Sequence, residues 1–263
     1  MAVAFDTREP PLLVESVAGT TWLTLNRPAR FNVLSEEMLA ALQSAIDDID
    51  DATRVVVVRA KGRAFCAGHD LKEMRARPEK AYYADLFRRC SGVMQSLAAL
   101  PQPVIAEVQG LATAAGCQLV ATCDLAVAAD SARFAVSGID VGLFCSTPAV
   151  ALSRVMSRKR AFEMLVTGEF IDAATALDWG LINRAVPPEV LDAAVTTLCD
   201  RIKAKSAVAV ATGKGLFGPQ LELGVADAYA LAGETMACNM MADDAAEGID
   251  AFIGKRPPRW THR

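Results

Sequence analysis

Two short segments hold the residue types best suited to chemistry in this chain, small residues beside polar ones. Residues 64–72 read A-F-C-A-G-H-D-L-K, and residues 108–118 read V-Q-G-L-A-T-A-A-G-C-Q. Each pattern is typical of a buried strand, a glycine turn and the start of a helix. Unpaired N–H groups at a helix start, with the positive end of the helix dipole behind them, favour a negative ligand. The alternative is a close-packed helix–strand crossing that needs small residues for packing alone.

Few side chains are available for other chemistry. The chain has two histidines, His69 and His262. The sequence therefore predicts no metal site, and a serine–histidine relay would have to use His69. Seven cysteines, an odd number without metal-type spacing, are predicted to be buried free thiols in a reducing compartment.

Composition favours one large folded core with a small-molecule ligand. The chain has 263 residues, of which 52% are hydrophobic, and a net charge of −4. The basic residues form no long run, so we expect neither a nucleic-acid partner nor a membrane-binding patch. No apolar run reaches the roughly 18 residues of a membrane helix. The first eleven residues lack the apolar core of a signal peptide, which predicts a cytoplasmic protein.

The hydrophobic pattern predicts a repeating strand–strand–helix order. A hairpin is predicted at residues 12–26, followed by a helix that Ser35 caps. Further strands are predicted at 55–58, 104–108, 125–129, 134–136 and 181–186, and helices at 81–100, 117–121, from 148, and at 157–166, 173–179, 189–205, 223–241 and 245–253. The repeat suggests a spiral of short ββα units rather than a doubly wound sheet. The helix at 223–241 is apolar over much of its surface, which predicts a homo-oligomer that covers it.

The two glycine turns together resemble those of the crotonase, or enoyl-CoA hydratase/isomerase, superfamily. Other matching segments follow in the right order, namely N-R-P at 26–28, P-V-I-A at 103–106, C-D at 123–124 and V-T-G at 166–168. The resemblance implies an α/β fold, with a ββα spiral acyl-CoA-binding core over residues 1–200 and a C-terminal helical trimerisation region over residues 201–263. It also implies an acyl-CoA thioester as substrate, no cofactor beyond the coenzyme A of that substrate, and a homotrimer or a dimer of trimers.

The resemblance further implies an oxyanion hole made by the backbone amides of His69 and Ala115. Two preorganised donors aimed at a developing oxyanion are worth roughly 3 kcal/mol each. Substrate contacts are expected at the residues around these amides and at nearby cations: Arg30, Ala67, Gly68, Asp70, Leu71, Lys72, Gly116, Gly138 and Ser146.

Both glutamates that hydratases of this family use are missing. Gln118 stands at the first position and Gly138, which offers only space, at the second. Loss of a general acid or base typically costs a factor of about 10² to 10⁴ in rate. Asp140, Cys145 and the side chain of His69 are the candidate replacements, although each also has a purely structural interpretation. Three functions stay open: an acyl-CoA hydratase, isomerase or thioesterase, an acyl-CoA-binding protein with little catalysis, and an interaction scaffold.

Overall fold

The chain forms two β-sheets, and successive strands alternate between them along the middle of the chain. The computed structural model describes residues 9–263. The strands are β1 (Leu12–Val17), β2 (Thr20–Leu25), β3 (Val55–Ala60), β4 (Ala64–Cys66), β5 (Val104–Val108), β6 (Leu111–Thr113), β7 (Leu125–Ala129), β8 (Arg133–Ala135), β9 (Ile171–Asp172) and β10 (Arg184–Val186). One sheet has the order β1-β2-β3-β5-β7-β10 and the other β4-β6-β8-β9. The pairs β1–β2 and β8–β9 are antiparallel, and the other neighbouring pairs are parallel.

Helices follow the strand pairs and then close the chain. They are α1 (Glu36–Asp47), α2 (Leu71–Ala76), α3 (Lys80–Ala99), α4 (Ala115–Thr122), α5 (Ser146–Val155), α6 (Arg158–Thr167), α7 (Ala173–Trp179), α8 (Leu191–Lys203), α9 (Ala207–Leu221), α10 (Val225–Met240) and α11 (Asp243–Ile253). Single 3₁₀ turns lie at Pro28–Arg30 and Pro188–Val190, and a longer one at Ser137–Val141.

The predicted ββα repeat is confirmed by the way each turn of the chain feeds both sheets. The pairs β3–β4, β5–β6 and β7–β8 each place one strand in the six-stranded sheet and the next in the four-stranded sheet. The helices α2 and α3, α4, and α5 follow these three pairs in turn. The carboxyl ends of the short strands therefore meet beside the starts of α2 and α4.

Long periodic elements follow the sequence closely. The side chain of Ser35 accepts a hydrogen bond from the Met38 amide, as a helix cap should. The buried face of α3 consists of the predicted residues Leu86, Cys90, Val93, Met94 and Leu97. The predicted strand at 181–186 is wrong over its first half, because it begins only at Arg184.

One whole helix was not predicted. Helix α9 contains Gly213, Gly215, Gly218 and Pro219, residue types that normally discourage a helix interior. Contacts made by Lys214, a residue of α9, fix this helix on the core and override its low helix propensity.

The thiols differ from the prediction at one position. Six of the cysteines are buried, whereas Cys238 is exposed. The reason is its place on α10, a helix that buries none of its own residues within this chain.

Helix α8 covers the second face of the six-stranded sheet. Leu191, Val195 and Cys199 of α8 form a separate apolar cluster with strand residues that include Val57 and Ile105. The helix runs through residue 200 and ends at Lys203. The division of the chain at residue 200 into a core and a C-terminal helical region stays a prediction.

The C-terminal helices leave much apolar surface uncovered within the chain. Phe217, Val225, Tyr229 and Met236 are all more than two-thirds exposed, and Met241 is 85% exposed. Such a continuous apolar surface is typical of a protein interface. The homo-oligomer stays a prediction.

Lys214 anchors α9 to the core, which leads to a prediction about stability. Its ammonium group lies 2.6 Å from the carboxylate of Asp124 and donates to the carbonyl oxygens of Leu97 and Gln102. We expect Lys214→Met to lower the free energy of unfolding by about 2 kcal/mol, because it leaves a partly exposed carboxylate and two carbonyls without their donor. Chemical denaturation measures this loss. The exposed Lys159→Met is the matched control, and equal stability of the two variants would contradict the anchor.

Two further sequence expectations concern membranes and the N-terminus. Within residues 9–263, no helix is both long enough and apolar enough to cross a bilayer. The expected absence of a signal peptide concerns the first eleven residues, and residues 1–8 lie outside the described part of the chain.

Candidate active site

A cavity of about 290 Å³ opens where α2, α4 and α5 begin. Its wall is mostly apolar and includes Leu71, Met74, Phe87 and Phe144. Of the residues predicted to form the site, the structure brings seven to this cavity, and they come from three separate parts of the chain: Ala67, His69, Leu71, Ala115, Gly138, Cys145 and Ser146. An apolar cavity with a few polar groups is the usual form of a small-molecule site.

The glycine turn before α2 brings the His69 amide close to the start of α4. Gly68 has φ +89°, a conformation that favours glycine. A Cβ at Gly68 would lie 3.2 Å from the Ala115 nitrogen and 2.9 Å from the Ala114 Cβ. Gly68 is therefore required for the close approach of the two predicted oxyanion donors.

Asp70 fixes this turn on the next helix. Its carboxylate caps α2 by accepting from the amides of Lys72 (2.9 Å) and Glu73 (3.3 Å), and it also pairs with Arg30. Asp70 is buried. Asp70 and Arg30 thus hold the loop in place, while Lys72 lies on the exposed surface of α2.

The start of α4 is held against β4 by a position that only glycine can occupy. A Cβ at Gly116 would lie 2.1 Å from the carbonyl oxygen of Cys66. Ala114, the residue before the helix, has φ 51° and ψ −121° and provides no side-chain cap. The residue at the cap position of α4 therefore provides no side-chain acceptor for the first amides of the helix.

Two backbone amides border the cavity without an acceptor. Within residues 9–263, neither the His69 amide nor the Ala115 amide donates a hydrogen bond. The Ala114 amide, in contrast, donates to the carbonyl of Ala135. Bare donors at the start of a helix suit an oxygen atom that gains negative charge.

Gln118 is not part of this cavity. It lines a different cleft, of about 480 Å³, between α3, α4 and α5. Gln118 is buried, and its side-chain oxygen has no partner within the described residues. Thr147 is the residue that lines both spaces. The side chain of Gln118 therefore occupies the sequence position of a catalytic carboxylate, but Gln118 and His69 line different spaces.

Gly138 does not leave the space expected of it. A Cβ at this position would lie 2.6 Å from the sulfur of Cys145 and 2.6 Å from the carbonyl oxygen of Leu143. The chain itself fills the position where a hydratase of this family carries its second glutamate. The sequence could not predict this contact because Cys145 returns to Gly138 only after a 3₁₀ turn and a loop.

The other proposed replacements for the glutamates differ in position. Asp140 is exposed and does not line the cavity, since its carboxylate lies beside Gly168. Cys145 lines the cavity, but its thiol donates to the carbonyl of Val136 (3.5 Å) and burial raises its pKa. A thiol that is protonated at neutral pH is a poor nucleophile. Ser146 lines the cavity from the first position of α5.

His69 lines the cavity, but Nε2 of its side chain is a buried atom without a hydrogen-bond partner among residues 9–263. Its Nδ1 lies 3.4 Å from the carbonyl oxygen of Leu34, and its ring meets the ring of Phe87 edge-on at 5.5 Å between centroids. Burial lowers the pKa of His69 below its ordinary value, so the imidazole is neutral at pH 7.

A hydroxyl pair in the cavity wall was not predicted. The hydroxyl of Ser137 lies 2.9 Å from that of Thr113, and Ser137 lines the cavity next to Gly138. The sequence signal that could have identified Ser137 is its position directly before Gly138. The side chain of Arg256, near the end of the chain, binds Glu247 through both of its terminal nitrogens, at 2.6 and 2.8 Å.

The chain matches the sequence model of the enoyl-CoA hydratase/isomerase family over residues 15–263. It belongs to the enoyl-CoA hydratase/isomerase family. It is also similar to the crystal structure of an enoyl-CoA hydratase from Mycobacterium smegmatis, with 59% identity, a TM-score of 0.95 and coverage of 96% of this chain and 99% of that one. The predicted crotonase fold is confirmed by this similarity.

Other relatives of this family member share one name. The enoyl-CoA hydratase domain-containing protein 3, mitochondrial, of Xenopus laevis is 46% identical over 96% of this chain and 87% of its own length. The crystal structure of human enoyl coenzyme A hydratase domain-containing protein 3 is 44% identical, with a TM-score of 0.93 over 95% of this chain and 100% of that one. The motifs at residues 68–73, 110–121 and 141–148 also resemble this subgroup, and the similarity confirms that assignment.

Proposed function

We propose that this protein binds an acyl-CoA thioester and stabilises its enolate form with the backbone amides of His69 and Ala115. The observation that supports this proposal is the pair of amides that border one apolar cavity and have no acceptor in residues 9–263. As a thioester loses an α-proton, charge moves onto the carbonyl oxygen, and fixed donors stabilise that charge most strongly. The protein needs no cofactor for this step.

The apolar lining of the cavity suits the hydrocarbon chain of an acyl group. The walls are apolar, and the partly exposed Leu71, Val141 and Phe144 extend the apolar surface to the mouth. Lys72 is exposed on α2 next to the cavity-lining Leu71, and we expect it to meet the phosphates of coenzyme A.

Hydration by two carboxylates is disfavoured. No aspartate or glutamate is among the described residues that line the cavity. Addition of water requires one group to take a proton from water and another to supply one to carbon. An acyl-CoA-binding protein with little catalysis is therefore the second candidate, and the same absence favours it.

Thermal unfolding tests the binding part of the proposal. We expect crotonyl-CoA and acetyl-CoA to raise the unfolding temperature more than free coenzyme A does, since a ligand at 100 times its dissociation constant adds about 2.7 kcal/mol. No shift with either thioester would reject acyl-CoA binding and leave the scaffold. Loss of the ultraviolet enoyl absorbance, followed across chain lengths, would separate a hydratase from a binder.

Oligomeric state and location are part of the same proposal. We expect a homotrimer, or a dimer of trimers, that covers the apolar surface of α9–α11, and light scattering that reports a monomer would reject it. A role in fatty acid metabolism and a cytoplasmic location fit an acyl-CoA ligand. Several relatives of this chain are named mitochondrial, so fractionation of cells decides the compartment.

A further inference from the structure

A carboxylate away from the acyl-CoA cavity lies between the six-stranded sheet and α8. It belongs to Glu107 of β5. Two residues before it, Ile105 packs in one apolar cluster with Val195 and Cys199 of α8. Because alternate residues of a strand point to the same face, Glu107 points towards α8 as well. Its Oε2 atom is buried and has no hydrogen-bond partner within residues 9–263. A carboxylate in this position is costly in its charged form.

The cation beside Glu107 is held by two other carboxylates. The parallel register of β3 and β5 places Arg59 next to Glu107 on the neighbouring strand. The guanidinium of Arg59, however, lies 3.5 Å from the carboxylate of Asp192 and 4.0 Å from that of Glu15. Asp192 is in the first turn of α8, so its ion pair with Arg59 ties this helix to the sheet.

The other elements around Glu107 bring no cation against it. Val127 of β7 lies directly opposite, and Arg184 of β10 is one strand further away in the same row. On α8 the thiol of Cys199 is near Glu107, and the basic residues of this helix lie in its last turn. Among the described residues, Arg59 is thus the one cation whose charge acts on Glu107.

We propose that Glu107 is a proton-controlled switch for the docking of α8 on the sheet. With the carboxyl protonated, Arg59 binds Asp192 and holds the start of α8 in place. With the carboxyl ionised, Glu107 competes with Asp192 for the guanidinium, and the charge beneath α8 favours opening of this helix. The chain continues from α8 into α9–α11, so the switch acts on the helices that carry the exposed apolar surface. It needs no acyl-CoA.

The direction of the pH dependence follows from the state in which Glu107 holds its proton more tightly. Burial raises the pKa of Glu107 from 4.5 to about 7, with Arg59 opposing this rise and Asp192 adding to it. When α8 opens, the carboxyl is exposed, returns to its ordinary pKa and releases the proton. The closed state is therefore favoured most below pH 4.5, and this advantage is lost as the pH rises through 7. Between pH 6 and pH 8, the equilibrium constant for opening should rise about tenfold.

Labelling of Cys199 in the full-length protein measures the opening, because this thiol is on the buried side of α8 and only 1% exposed. Wild type and Glu107→Gln are treated with N-ethylmaleimide at pH 6 and pH 8, and mass spectrometry reports each cysteine separately. Dividing the wild-type rate by the Glu107→Gln rate at the same pH cancels the intrinsic reactivity of the thiol. We expect this ratio to rise about tenfold from pH 6 to pH 8. Glu169→Gln, which changes an exposed carboxylate, should match the wild type.

Cys66 serves as the internal control, since it is buried in the other apolar cluster, away from α8. Its ratio should be the same at both pH values. A Cys199 ratio that does not change between pH 6 and pH 8 would overturn the switch. An equal rise at Cys66 would overturn it too, because it would report unfolding of the whole chain.

Asp192→Asn tests the exchange of partners by Arg59. In this variant the guanidinium is free to bind Glu107 at both pH values, which favours the ionised carboxylate in the closed state. The ratio between Asp192→Asn and the double variant Asp192→Asn/Glu107→Gln should then rise less than about threefold from pH 6 to pH 8. A rise as large as that of the wild type would show that Arg59 does not change partner and would overturn this part of the proposal.

Discussion

Gly116→Ala is expected to weaken butyryl-CoA binding about fivefold, through loss of one hydrogen bond of about 1 kcal/mol, and to destabilise the fold by about 3 kcal/mol. The added Cβ would lie 2.1 Å from the Cys66 carbonyl oxygen and 2.8 Å from the Cys66 Cβ. Neither atom belongs to a flexible side-chain end, so α4 has to move away from β4. The Ala115 amide is the neighbouring group and moves with it, and a misplacement of about 1 Å costs on the order of 10²-fold in rate.

A glycine on α9 provides the matched control for this variant. Gly213 has no atom within 4 Å of an added Cβ. Gly213→Ala should leave binding unchanged and stabilise its helix by up to about 1 kcal/mol, since alanine has the higher helix propensity. Chemical denaturation and butyryl-CoA titration measure both quantities. If the two variants behave alike, close packing of α4 does not position the amide.

Restoring glutamates at the two family positions is expected to fail. In the double variant Gln118→Glu/Gly138→Glu, the new side chain at 138 meets the Cys145 sulfur and the Leu143 carbonyl oxygen, each 2.6 Å from its Cβ. We expect a loss of about 3 kcal/mol in stability from this overpacking. The glutamate at 118 enters the cleft behind Thr147 rather than the cavity with the amides.

The assay for this second prediction is hydration of crotonyl-CoA, followed by loss of enoyl absorbance. The double variant should show no gain in hydration, and Ala193→Glu, at an exposed position of α8, should keep wild-type stability. An increase in the hydration rate by a factor of about 10² or more would contradict this prediction. It would show that the missing carboxylates alone limit hydration by this chain.

The sequence predicts the elements that carry their own periodic signal. Helix α3 and strand β5 follow from apolar spacing, and the Ser35 cap follows from local chemistry. The strands β4, β6 and β9 have only two or three residues, too few for a period to be recognised. Helix α9 forms against its own low propensity because Lys214 binds Leu97, Gln102 and Asp124. These partners lie far away in sequence, so a local pattern does not reveal them.

In the site as well, local patterns predict some features, and long-range packing determines the others. The positions of the His69 and Ala115 amides could be inferred from motifs, because a glycine turn before a helix is a local pattern. The side-chain direction of Gln118 could not, since it depends on how α4 packs between α3 and α5. The filled position at Gly138 depends on the return of Cys145 across the loop.

Calorimetric titration with butyryl-CoA and its thioether analogue S-butyl-CoA tests most directly whether the free amides of His69 and Ala115 hold the thioester oxygen. The two ligands share the coenzyme and nearly the same chain, but the thioether lacks the carbonyl oxygen. Two hydrogen bonds with a net value of about 1 kcal/mol each predict that the thioester binds tenfold or more tightly in the wild-type protein. Equal affinity for the two ligands would contradict an oxyanion hole at His69 and Ala115.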